Sequence, residues 1–177
     1  MSYKILKYPT IASLISKEII TRAVVVALVL GSILTLVNQP DAIFGNAVVE
    51  ALPLMLVYMT PFVVVTASQV LGSRRAIRDS EFSYGWKLHD VGFVGTAMSH
   101  GIPIRAMLLA ALIGAINTVI TVAATLTSDG IISDLQKIAI AQAFALPLLF
   151  GLVSQTISYR RAIAAINHQR QSPPLST

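Results

Sequence analysis

The chain has 177 residues, 55% of them hydrophobic and only 12% charged, with no cysteine. Soluble domains run at about 45–50% apolar and roughly 25% charged, so the excess apolar surface is read as facing lipid. The formal charge of +5 does not point to nucleic acid, because the basic residues are not gathered on a soluble face among aromatic stacking residues; the lack of cysteine excludes disulfides, thiolate metal sites and cysteine nucleophiles.

Residues 1–17 are polar, basic and amphipathic, and no small-residue cleavage site follows a short apolar region, so a cleavable signal peptide is not expected. Residues 9–21 are expected to lie in the membrane interface. Crossing about 30 Å of hydrocarbon takes around 20 mostly apolar residues, and four stretches qualify. The first spans residues 22–38 and leads through an outer loop, 39–50, holding Asp41 and Glu50, into a second span at 51–72. The central segment, 73–104, has a polar piece at 78–90, whose Tyr84 and Trp86 suit the headgroup level, and a glycine-rich piece at 91–104. That second piece is too short to cross and is expected to be interfacial. The third span, 105–126, and the fourth, 138–158, flank an outer loop with Asp129 and Asp134, and residues 169–177 are expected to be disordered. Apart from the arginines that begin the first and third, no span holds Asp, Glu, Lys or Arg. Of the 13 Lys and Arg residues only Lys137 falls in an outer loop, a positive-inside pattern that places both termini and the central segment in the cytoplasm.

The two halves read as copies of one unit. Ser68-Gln69-Val70-Leu71-Gly72-Ser73-Arg74-Arg75-Ala76-Ile77 aligns with Ser154-Gln155-Thr156-Ile157-Ser158-Tyr159-Arg160-Arg161-Ala162-Ile163 at six of ten positions, and Pro61 aligns with Pro147. Upstream, Arg22, Ala23, Ala27, Gly31 and Thr35 match Arg105, Ala106, Ala110, Gly114 and Thr118. The offset is 83 before the outer loop and 86 after it. Two spans per unit make a parallel duplication about an axis along the membrane normal. The expected fold is therefore an all-α integral membrane protein: repeat 1 over 1–78, a polar linker over 79–90, repeat 2 over 91–168 and a tail over 169–177, with interfacial helices before spans 1 and 3.

The repeated residues have two readings each. Ala27, Gly31, Ala110 and Gly114 belong to stripes of small residues that let helix backbones approach closely, or else the stripes line a narrow pore with Thr35 and Thr118 facing its lumen. Pro61 and Pro147 free a carbonyl within a span, which lipid cannot satisfy, so they are read as helix breaks facing protein or water. Ser68 and Ser154, with the amides of Asn38, Gln39, Gln69, Asn117, Gln142 and Gln155, either bond helix to helix or contact a substrate. Arg22, Arg75, Arg105 and Arg161 anchor to headgroups or form a cationic mouth that concentrates anions. No nucleophilic triad, metal-protease motif, phosphate loop or carboxylate pair is present, and His89, His100 and His168 lack ligand spacing and read as solvated, so neither an enzyme nor a metal or cofactor is expected. The spans also lack the carboxylates of a proton relay or a cation pathway.

Arg22-Ala23, Val29-Leu30-Gly31-Ser32-Ile33-Leu34-Thr35-Leu36-Val37-Asn38-Gln39 and Tyr58-Met59-Thr60-Pro61-Phe62 resemble the NrtS-like nitrate/nitrite transporter family, small bacterial membrane proteins of about two spans per chain. The similarity covers residues 22–73, and the chain resembles a fusion of two such units. The resemblance implies nitrate and nitrite passage across the bacterial inner membrane, with Asn38 and Gln39 as the polar residues carried over. The second copy lacks that Asn-Gln pair, which puts a symmetric site in doubt. Nitrate is a planar, weakly hydrated anion that hydroxyls and amides can hold, so the reading is channel-like or facilitated permeation without ATP, in a homo-oligomer within the lipid bilayer. The competing reading is a non-transport membrane subunit or assembly module whose polar residues only pack helices.

Overall fold

The computed structural model describes residues 14–46, 48–49, 51–82, 92–128 and 134–171. Their regular structure is entirely helical: α1 Lys17–Asn38, α2 Pro40–Phe44, α3 Ala51–Phe82, α4 Phe93–Ser99, α5 Ile102–Ser128 and α6 Asp134–Gln171. Four stretches are long and apolar enough to cross a membrane, Lys17–Asn38, Ala51–Ser80, Ile102–Ala123 and Lys137–His168. The chain is a multi-pass membrane protein in its architecture.

Local chemistry sets the helix ends. Ser16, in extended backbone, accepts from the Ile19 N–H at 3.3 Å, and Glu18 in the first turn of α1 suits the positive end of the helix dipole. At the far end Gln39 N–H closes onto Thr35 O at 2.9 Å, and Pro40, which has no N–H to lose, opens α2. Between α4 and α5 the chain turns at Gly101, whose φ of 62° lies in the left-handed region that a side chain disfavours.

The long helices stand in the order α1, α3, α6, α5, with α3 and α6 packed along each other at the centre. α1 lies on α3, α5 lies on α6 and also touches α3, and α4 rests against α5 and α6. Val25, Leu28, Val29 and Ile33 of α1, and Met107, Leu108, Leu112 and Ile116 of α5, are exposed on the outer helices, as lipid contact requires.

The small-residue stripes face the central pair. Ala23, Ala27 and Gly31 are buried, and a Cβ on Gly31 would run into the Tyr58 ring. Ala106, Ala110 and Gly114 are buried likewise, and a Cβ on Gly114 would run into the Phe144 ring. At the crossing of α3 and α6 a Cβ on Gly72 would come within 2.5 Å of the Gln155 carbonyl oxygen, so this position must be glycine for the backbones to meet. Ser158 Oγ donates to Gln69 O at 2.7 Å and lies 2.7 Å from Ser73 Oγ.

Several expected boundaries move. α3 continues past residue 72 to Phe82, so 73–82 is helix rather than loop or linker. The extension is held by the Arg75–Asp79 pair and by Ala76, which is buried with Ala97, Ile102, Tyr159 and Ile163. α6 runs to Gln171, so 169–171 are helical; 172–177 lie outside the described residues, as do Tyr84 and Trp86. Of the interfacial segment expected at 9–21, residues 9–13 lie outside the described set and 17–21 begin α1 itself. The 91–104 segment resolves into α4, the turn at Gly101 and the start of α5 at Ile102. Pro61 and Pro147 are buried, but neither breaks its helix: α3 and α6 run on through them. Neighbouring helices cover both prolines, which is the setting in which a membrane helix tolerates the lost hydrogen bond.

Candidate functional site

The polar residues singled out from the sequence do not converge on one point; they divide along the bundle. At the end where α1 stops, Asn38 and Gln39 are half-buried, and Thr35 Oγ1 donates back to Gly31 O at 2.7 Å. At a rise of about 1.5 Å per residue, Asn38 stands roughly 24 Å along the helix from Arg22. Closer to the middle, Asn117 Nδ2 donates to Thr60 Oγ1 at 2.9 Å and ties α5 to α3. Gln142 is half-buried on α6.

The seam between α3 and α6 holds the second group. Ser68 is fully enclosed where α3 meets α5 and α6, and the site of a Cβ on Gly151 lies 3.5 Å from its Oγ and 3.6 Å from Ala106 Cβ. Gln155 is 1% exposed and Gln69 8% exposed, while Ser154 is half-buried. Ser68 Oγ, Gln155 Nε2, Thr66 Oγ1 and Thr118 Oγ1 are buried with no hydrogen-bond partner among the described residues. A buried polar atom in that state costs about 1–3 kcal/mol unless water or an ion completes it.

The third group sits where α1 begins and α6 ends, and it has two unlike sides. On one, Arg75 Nε meets Asp79 Oδ1 at 2.8 Å and Tyr159 OH donates to Asp79 Oδ2 at 3.2 Å. His100 Nδ1 lies 3.1 Å from both Asp79 Oδ2 and Tyr159 OH, and its ring is tilted 32° to the Tyr159 ring at 4.3 Å. Arg105 stands within electrostatic reach of Arg75 and Asp79. His100 is therefore a largely buried member of an ion-paired cluster and not the solvated residue expected; His89 lies outside the described residues, and His168 is exposed.

The other side is an open groove of about 230 Å³ between α1, α3 and α6, lined by Arg22, Gln69, Ser73, Ser158 and Arg161 among others. Arg22 is paired at 3.0 Å with Glu18, which is itself 77% exposed. Arg161 forms no ion pair with a described residue. The four arginines read as one cationic mouth are thus two pairs: Arg75 and Arg105 beside an acid, Arg22 and Arg161 on a groove. Among the described residues no group of three or more His, Cys, Asp or Glu is placed to hold a metal.

Asp79, Tyr159, Thr60 and Ser158 escaped the sequence reading. Asp79 had a signal, since an acid four residues after Arg75 on a helix forms a pair. Tyr159 and Ser158 had one too, as positions where the aligned copies differ, from Ser73 and Gly72. Thr60 had none. No family model, curated protein or solved structure matches the chain.

Proposed function

We propose that the chain is an NrtS-like nitrate/nitrite transporter of the bacterial inner membrane, passing the anion by channel-like or facilitated permeation without ATP. In this reading the two halves are parallel repeats, both termini are cytoplasmic and the working form is a homo-oligomer. One observation supports it above the others: Ser68 Oγ and Gln155 Nε2 are enclosed in the α3–α6 seam of a membrane-spanning pair without a partner among the described residues. Both can donate hydrogen bonds, and neither carries charge. Such donors suit a weakly hydrated monoanion, which fixed charge deep in the membrane would trap. The equivalent packing of Gly31 on Tyr58 and of Gly114 on Phe144, at offsets of 83 and 86, supports the duplication.

The test is flux into proteoliposomes under an imposed potential without a proton gradient, comparing nitrate, nitrite and chloride. Potential-driven nitrate or nitrite flux that falls at least tenfold in Ser68→Ala with Gln155→Leu, at unchanged assembly, is the expected result. Absence of flux under the potential, with or without a proton gradient, overturns the reading. A second reading, a membrane module without transport, draws on the Asn117–Thr60 and Ser158–Gln69 bonds, in which polar side chains tie helices together. It predicts that Asn38→Ala with Gln39→Ala changes assembly in detergent rather than flux.

A further inference from the structure

The groove and the ion-paired cluster are each built from both halves, at positions that the repeat alignment pairs. At an offset of 86, Arg161 corresponds to Arg75, Ser73 to Tyr159, Gln69 to Gln155 and Ala165 to Asp79; at 83, Arg22 corresponds to Arg105. At the ion-paired cluster the Tyr159 ring of α6 fills the space and the Asp79 carboxylate of α3 neutralises Arg75 beside it. At the groove Ser73 of α3 stands for the ring and Ala165 of α6 for the acid. The result is about 230 Å³ of open space against two guanidinium groups. A water molecule's share of liquid volume is about 30 Å³, so the groove is large enough for a small oxyanion with part of its hydration.

We infer that this groove is an oxyanion-binding site, whose ligand stands where the ion-paired cluster has the carboxylate of Asp79. Arg161 presents an uncompensated planar fork of donors, the geometry that matches the paired oxygens of an oxyanion. A second feature points the same way. Gln69 is more than nine-tenths buried, lines the groove, and its side-chain amide is not hydrogen-bonded to any described residue. Ser73 and Ser158 add hydroxyls at its floor, bonded to each other at 2.7 Å. Glu18 is the one acid on the rim; it holds Arg22 and limits the net charge of the site to one. The oxyanion can be a free inorganic ion or the phosphate of an anionic lipid headgroup, since the groove opens beside the start of α1, at the basic end of the bundle. Binding requires no permeation, so this inference stands or falls apart from the transport reading.

The experiment uses the full chain with binding as its readout. Thermal unfolding in an uncharged detergent is followed against inorganic phosphate and against nitrate, and unfolding in nanodiscs is compared between zwitterionic lipid and zwitterionic lipid doped with phosphatidylglycerol. The expected result is an upward shift of about 5 °C, at ligand concentrations on the order of 10–100 times Kd, from at least one source. That shift is lost in Arg161→Gln, and lost again in Ser73→Tyr with Ala165→Asp, which installs the counterparts of Tyr159 and Asp79. A shift from the free ions assigns the site to a soluble oxyanion; a shift only in phosphatidylglycerol nanodiscs assigns it to the headgroup. The double variant is built from side chains already accommodated together at the ion-paired cluster, so it keeps the test sound if Arg161→Gln folds poorly. No shift from either source, or a shift of equal size in wild type and both variants, overturns the proposal.

Discussion

Arg75 and Arg161, which the sequence alignment of the two halves pairs, stand in two unlike settings at the basic end of the bundle. Arg75 has Asp79 one turn away, His100 and Tyr159 close over that acid, and the site is packed with Ala76, Ala97 and Ile102. Arg161 has Ala165 one turn away and Ser73 across from it, and the site is open. A difference at two positions thus separates a charge satisfied within the fold from a charge left for something outside it. Internal satisfaction ties α3, α6 and the α4–α5 turn into one cluster; the open side gives up that packing and gains a place to bind.

The comparison breaks first at Tyr159. If the filled side is structural, Tyr159→Ala removes a fully buried ring and leaves Asp79 and His100 without a shared partner, at an expected cost of about 3–5 kcal/mol. The aligned Ser73→Ala should cost under about 1 kcal/mol, because the ring is absent there. Reversible unfolding of both variants in mixed micelles measures the gap, and equal costs would remove the distinction between the sides.

The next effect lies where α3 crosses α6. Gly72→Val places a side chain against the Gln155 carbonyl, a backbone group that cannot step aside, and is predicted to cost about 1–3 kcal/mol or more. Ser158→Gly at the aligned position loses the hydrogen bonds to Gln69 O and Ser73 Oγ, about 0.6 kcal/mol each. The same unfolding assay ranks them, and a larger loss for Ser158→Gly would mean that hydrogen bonding rather than close approach holds the seam.

Gly31→Ala and Gly114→Ala form a matched pair, since each brings a Cβ onto an aromatic ring that can shift. Both should lose about 1–3 kcal/mol, and by similar amounts. A difference beyond about 1 kcal/mol between them would argue against equivalent packing in the two halves. The smallest effect is expected at Glu18→Gln. An exposed ion pair is worth about 0–1 kcal/mol, so folding should barely change, while the affinity of the groove for an oxyanion, measured by titration in detergent, should rise.

The four spans were legible because crossing hydrocarbon demands length and apolarity, and both are properties of a contiguous stretch. Helix ends beyond the membrane were not. Residues 73–82 read as a loop because they are polar, yet Ala76 enters a core made with Tyr159 and Ile163, whose distance along the chain hides the contact. The prolines illustrate the same limit: sequence identified two places where a carbonyl loses its partner, but burial between helices decided that the helix continues.

The candidate site was half legible. Ser68, Gln69, Ser154 and Gln155 stood out as a repeated polar pair within apolar spans; Ser68, Gln69 and Gln155 are buried, while Ser154 is half-buried. Their pairing did not follow from the pattern, because whether a buried hydroxyl or amide finds a partner depends on what the facing helix presents. Composition, span length and internal alignment by themselves determined that this is a helical membrane protein with its positive charge gathered in three segments. Only the tertiary structure decided which of those charges are neutralised. Ion pairing acts over a few ångströms, and Asp79, His100 and Tyr159 reach one another only after α3, α6 and the turn before α5 have packed together.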